Sequence, residues 1–233
     1  MNILAIDTAT EACSVALQCA DDARFRFSQE PRAHARVLLP MIDELMAEAG
    51  MAPAALDAVA FGRGPGSFTG VRIATAAAQA VAFGVDIPAL PISSLALVAQ
   101  QGVRLHGIQR AAVSMDARMG EVYWGCYVAG GDGLVLLQGD EAVLPPQALV
   151  LPDERTWTAI GSGWQAYSEA LQTVVVSTCP EPAVTLPHAQ DMLPLAMRAL
   201  LNGEGVSAEQ ALPVYLRNHV ALTEAERGTA TRD

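Results

Sequence analysis

The stretch that most limits what this chain can fold into is residues 58–84, AVAFGRGPGSFTGVRIATAAAQAVAFG, in which an apolar segment enters a glycine-rich loop and then an alanine-rich segment. The apolar residues at 58–61, closed by glycine, predict a buried strand, and the spacing after Gly70 predicts a helix. Gly62, Gly64, Gly66 and Gly70 allow positive φ or the close approach of another surface. Ser67 or Thr69 can cap the helix by accepting from its unpaired N–H groups. Such a strand, loop and helix N-terminus can cradle an anion, or can be a tight turn with close packing. Two phosphate-binding patterns do not fit. A P-loop needs a lysine, and all 14 basic residues are arginine; the dinucleotide pattern needs a third glycine where Thr69 stands. The small residues Ala74, Thr75, Ala77, Ala78 and Ala82 let another helix come close, while Val71, Ile73, Val81 and Phe83 add apolar bulk. A helix of this kind is buried on more than one side, by the chain's own core or by another chain.

With 233 residues, 52% of them hydrophobic and 17% charged, the chain can bury a sizeable core in one large or two small domains. A net charge of −11 opposes direct tight binding of nucleic acid, which needs clustered cations, and the arginines are spread thinly from Arg24 to Arg232. Cys13, Cys19, Cys126 and Cys179 have no C-x-x-C spacing, and no signal peptide or 18-residue apolar run is visible. The expectation is a cytoplasmic chain with free thiols and no membrane association.

In chain order, a strand ending at Asp7, a turn over Thr8–Glu11, a strand from Cys13 to Cys19, a turn at Asp21 and Asp22 and a strand from Arg24 to Ser28 predict a meander. Residues 34–50, HARVLLPMIDELMAEAG, place Leu38, Met41, Ile42, Leu45 and Met46 at helical spacing, with Pro40 expected to start or kink the helix. After the central stretch come a short strand over Ile87–Leu90 and a helix over Ser93–Gln101. From about residue 109 the pattern repeats, with a strand ending in Asp116, a polar turn, a strand through Trp124, and a third over Leu134–Leu137. A strand over Trp157–Ile160, a helix over Trp164–Leu171, a strand over Val174–Ser177 and an amphipathic helix over Ala189–Asn202 complete it; the end beyond Thr223 reads as frayed. Tyr123 and Tyr127 flank Trp124 in alternation, which strand packing explains. Two copies of one strand and helix order predict a duplicated α/β fold with mixed sheets, in domains 1–108 and 109–233.

The motifs MNILAIDTAT, HARVLLPMIDELMAEAG, GRGPGSFTGVRI, MDARMGEVY and PVYLRN, in this order and over nearly the whole chain, resemble the bacterial TsaB (YeaZ) family. The resemblance implies the actin-like, sugar kinase and Hsp70 (ASKHA) fold. It also implies a non-catalytic accessory subunit of the machinery that builds threonylcarbamoyladenosine beside the tRNA anticodon. The implied partners are a TsaD-type catalytic homologue and a TsaE-type ATPase, with a homodimer when the chain is alone. Contact through the N-terminal helices maps onto His34, Leu38, Met41, Ile42 and Leu45 of the first and Val71, Ala74 and Ala78 of the second.

Two enzymatic readings stand beside this one. Actin-like ATPases use aspartates at the two repeat starts, which the resemblance places at Asp7, with Thr8 and Thr10, and at Asp116. ATP or ADP with Mg²⁺ at a partner interface is the cofactor reading this leaves open; the alternative is that both aspartates cap turns. MDARMG lacks the paired glycines of that site, and GSGWQAY at 161–167 carries Trp164 and Tyr167 where small residues belong. A metallopeptidase would need an H-x-x-x-H pair. His34, His106, His188 and His219 never share that spacing, so no metal is expected.

Overall fold

The computed structural model describes residues 1–20, 22–172, 174, 176–180 and 183–217. The expected turn residue Asp21, part of the strand expected at 174–177, His219 and the expected frayed end lie outside the described residues.

Strands β1 (Ile3–Asp7), β2 (Cys13–Cys19) and β3 (Asp22–Ser28) form an antiparallel meander. Helix α1 (His34–Glu48) carries the chain to β4 (Ala58–Gly64), parallel to β1, and α2 (Phe68–Val85) leads to β5 (Ala89–Ser93), parallel to β4. After α3 (Ser94–His106) the second half starts with antiparallel β6 (Arg110–Arg118), β7 (Glu121–Ala129) and β8 (Val135–Leu144). Then come β9 (Thr158–Ile160), parallel to β6, α4 (Ser162–Ala166), β10 (Ser177–Thr178), parallel to β9, and α5 (Ala189–Leu201). The sheets run β3-β2-β1-β4-β5 and β8-β7-β6-β9-β10, one order used twice, as a duplicated actin-like α/β fold requires.

Period-two alternation splits each strand between two cores. Ile3, Ala5 and Ala16 face inward onto a central layer made with Leu95, Val98 and Ala99 of α3, Met192, Leu195 and Ala196 of α5, and Ala111, Val113 and Met115 of the second sheet. Leu4, Ile6, Val15 and Phe61 face the other way, onto α1 and α2. On the second sheet the outer face holds Ala112, Trp124 and Cys126 against Leu149, Trp157 and Leu171, so Trp124 faces opposite to Tyr127, which is buried in the central layer. The expected boundary at 108/109 falls between α3 and β6, yet α5 packs on β1, β2, β4 and β5. Its Asp191 is buried and grips Arg104 of α3 at 2.6 and 3.0 Å, and the Ala189 N–H donates to Ser14 Oγ at 2.9 Å.

Several elements differ from expectation for local reasons. Helix α1 begins at His34 and continues through Pro40, because Pro40 and Arg36, whose carbonyl loses its partner there, both lie on the exposed side. Strand β8 is longer than expected, bending through Gly139 at φ 79°. Helix α4 starts after Gly161 at φ 101° and stops at Tyr167, well short of Leu171. Helix α2 has the length and composition of a membrane span, but Val71, Ala74, Thr75, Ala78 and Ala82 bury its inner face on the first sheet.

Most residues expected at a contact surface are inner side chains of the fold. Leu38, Met41, Ile42, Leu45, Val71, Ala74 and Ala78 are each at most 8% exposed, and all but Val71 belong to the outer core of the first half. The strongest apolar stripe of a helix on a sheet is the one that packs on that sheet, so within the chain those residues hold the fold. On this basis Leu45→Ala is expected to lower unfolding free energy by about 2–5 kcal/mol. Leu39→Ala on the exposed side of the same helix should change it by about 0.5 kcal/mol or less in urea denaturation.

Candidate functional site

The glycines of the central loop are explained by what lies against them. A Cβ at Gly62 would stand 1.9 Å from Asp7 Oδ2, at Gly66 2.3 Å from the Ala9 carbonyl oxygen, and at Gly70 2.0 Å from that of Thr8. The first turn of the chain is therefore nested into the loop. The Ser67 N–H donates to the Ala9 carbonyl at 2.7 Å, and the Thr8 hydroxyl donates to the Gly70 carbonyl at 2.7 Å. Gly64 alone of the four takes positive φ, 100°. Ser67 is the N-cap of α2, its Oγ accepting from the Gly70 N–H at 3.1 Å.

This nesting seals Asp7 and Thr8, which are 1% and 0% exposed. Asp7 Oδ1 accepts from the Ala9 N–H at 3.0 Å and Oδ2 from the Ser94 hydroxyl at 3.0 Å. Burial nevertheless outweighs these bonds and pushes the carboxyl up from 3.8 to about 6.

Between the two halves lies a cleft of about 640 Å³. Thr10, His34, Ser67 and Thr69 line it from the first half, and Asp116, Arg118, Tyr123 and Ser162 from the second. Of the four residues expected at a nucleotide site, Thr10 and Asp116 reach this cleft, whereas Asp7 and Thr8 lie beneath its first-half wall. Asp116 is engaged as a turn cap: Oδ1 accepts from the Arg118 N–H at 2.8 Å and from the Tyr167 hydroxyl at 3.0 Å, and Oδ2 pairs with the Arg118 guanidinium at 2.8 Å. The turn it caps places Arg118 and Met119 at φ 61° and 58°, a backbone that glycines would adopt without strain. Trp164 donates from Nε1 to the Ala112 carbonyl at 2.8 Å, so both large residues of the GSGWQAY stretch are tied into the second half. His34 Nε2 lies 3.2 Å from the Ala12 carbonyl, which can only accept, so that nitrogen carries the proton. Among the described residues no three His, Cys, Asp or Glu side chains gather as a metal site needs.

Three bonds across the halves, one from Tyr123 and two to Glu141, had no signal in the sequence. Tyr123 donates its hydroxyl to the Gly66 carbonyl at 3.2 Å. Glu141, its side chain 5% exposed, pairs with Arg63 at 3.1 Å and accepts from the hydroxyls of Tyr127, at 2.5 Å, and Ser93. Burial, with the Glu141 charge beside it, raises the Tyr127 phenol well above its ordinary range. Each partner of Glu141 is separated from it by 14 to 78 positions, so no local pattern could join them.

The outward side of α2 is the other candidate surface. Ala76, Ala80 and Gly84 recur at helical spacing and are exposed, beside Phe83 at 78% exposure, with Ile73 and Ala77 half-buried at the edge against the outer core.

Comparison with known proteins adds three findings. A family profile described as "TsaD: tRNA N6-adenosine threonylcarbamoyltransferase" matches residues 28–225. Two relatives named "tRNA threonylcarbamoyladenosine biosynthesis protein TsaB" align over almost their full lengths. The one from Escherichia coli (strain K12) is 42% identical over 95% of this chain and 96% of its own, and that from Haemophilus influenzae is 39% identical over 94% and 95%. A solved structure described as YeaZ from Pseudomonas aeruginosa superposes with a TM-score of 0.87 at 50% identity, covering 92% of this chain and 99% of that one.

Three outcomes follow from the nested turn and the helix it leads into. Gly70→Ala is expected to cost roughly 1–3 kcal/mol or more, because the Thr8 backbone has to move. Gly84→Ala, where a Cβ meets open space, should gain about 0.5–1 kcal/mol. The Asp7 carboxyl is raised in the fold, so its stabilising share is full below about pH 3.8 and is lost as pH rises through about 6. The stability of wild type relative to Asp7→Asn should accordingly fall between pH 4 and pH 7, by on the order of 2–3 kcal/mol. Urea denaturation at the two pH values reads this, and a pH-independent difference contradicts it.

Proposed function

The chain belongs to the TsaB (YeaZ) family, and we propose that it serves threonylcarbamoyladenosine formation in tRNA as a non-catalytic accessory subunit that docks a TsaD-type catalytic homologue. The observation that carries the reading is the contrast between the two candidate sites. The first-strand carboxylate is sealed beneath glycines with both oxygens engaged inside the chain, whereas the small, apolar outer side of α2 is left uncovered. A helix face of alanine and glycine lets a partner helix approach closely, and burying it supplies association energy without a catalytic group.

In this reading the free chain pairs with itself through the same face, a TsaE-type ATPase joins the assembly, and tRNA is held by the partners rather than by this acidic chain. It works in the cytoplasm with no resident metal or cofactor. The competing reading, ATP or ADP with Mg²⁺ where the cleft meets a partner, draws support from Thr10, Asp116 and the hydroxyls lining that cleft. Its test is calorimetric titration of ATP into the chain and into the complex.

The docking reading predicts that sedimentation of wild type mixed with the same organism's TsaD homologue gives a stoichiometric complex. Ala76→Arg combined with Ala80→Arg, both on the exposed side, should abolish it while the variant melts as wild type does. A wild-type chain that sediments independently of the homologue rules the reading out.

A further inference from the structure

Residues 213–217, the PVYLR part of a motif that neither the cleft nor the docking face uses, touch both walls of the cleft. On the first half the Val214 N–H donates to the Arg63 carbonyl at 2.7 Å. The Tyr215 ring lies 6.1 Å from that of Phe68, with the Arg72 guanidinium 3.2 Å from the Phe68 ring centre and 5.0 Å from that of Tyr215. On the second half Arg217 reaches the turn between β6 and β7. Its Nε donates to Glu121 at 2.9 Å and its Nη2 to the Ala117 and Arg118 carbonyls at 3.0 and 3.3 Å. Only Leu216 separates the two anchors.

We propose that residues 213–217 form a strap that sets the separation of the two cleft walls, with Arg217 as its releasable end. The first anchor joins the end of β4, at Arg63, and the first turn of α2, at Phe68 and Arg72, beside the Ser67, Thr69 and Gly70 that line one wall. The second anchor is the turn that supplies Asp116, Ala117 and Arg118 to the other. That turn runs through three successive left-handed residues, Arg118, Met119 and Gly120, and the planar guanidinium satisfies two of its carbonyls while pairing with Glu121. The Arg217 and Glu121 side chains are 17% and 31% exposed, open enough for salt to compete for the pair. The first anchor is a main-chain bond with an aromatic stack, which salt does not weaken comparably. Release therefore starts at Arg217, and it leaves the Tyr123 bond to the Gly66 carbonyl as the direct tie between the two walls, so that the walls loosen without coming apart.

Native-state hydrogen exchange by mass spectrometry tests this on the full chain. A strap couples its two ends, so cutting either must loosen both walls. Arg217→Ala is expected to speed exchange roughly three- to tenfold in residues 63–72, which the Arg217 side chain does not touch. Tyr215→Ala should do the same in residues 114–124, while α1 exchanges as in wild type. Acceleration confined to each variant's own contacts, or none, overturns the proposal. Wild type at rising salt needs no substitution and must show the same paired acceleration. Walls that stay protected at high salt overturn releasability.

Discussion

The missing Cβ atoms of Gly62, Gly66 and Gly70 are the constraint on which the rest of the first half depends. They let the Thr8–Ala9 turn sink into the loop before α2, which ties β1, β4 and α2 closely to one another. From that one contact follow the burial of Asp7, the position of the cleft wall and the side of α2 that is left outward. A glycine loop before a helix suits phosphate, but here the Ser67 N–H and the space over the loop are taken by the chain's own first turn.

The second constraint is the joint between the halves. Helices α3 and α5 lie between the two sheets as a shared apolar layer, and polar bonds mark its edge. At one side Asp191 of α5 holds Arg104 of α3; at the other Glu141 of β8 gathers Arg63, Ser93 and Tyr127. A buried carboxylate with several donors contributes directionality more than net stability, because its desolvation offsets much of the attraction. Apolar layers tolerate sliding, and these bonds specify the orientation of one sheet against the other.

The duplicated topology was legible because the repeat starts, Asp7 and Asp116, sit in similar apolar strand endings, and strand order follows from that repeat. The central loop was legible as a close-packing turn, though its occupant was not, since the Thr8 carbonyl that touches Gly70 lies 62 positions away. Most residues expected at the contact face lie in the core for a physical reason. Apolar periodicity marks the side of a helix that is buried, and in α1 and α2 the sheet beneath takes that side. The remaining outward face of α2 is alanine-rich, and alanine has too little apolar surface to show in a periodicity argument. Sequence likewise put Asp7 and Asp116 into one site, but the burial of Asp7 depends on three glycines whose role appears only when the turn is seen nested among them.

The return of α5 onto the first sheet has a consequence for how the chain is made. The inner side of β1, β2 and β4 is apolar, and its cover includes Met192, Leu195 and Ala196 of α5, far downstream of all three strands. While a ribosome is still adding the second half, that inner side has only α3 to shield it. Native closure of the first sheet therefore waits on late synthesis, and slow, long-range closure of this kind leaves apolar surface open to other nascent chains. Holdase chaperones would act during that interval, and the first half cannot reach its final packing before the second has been translated.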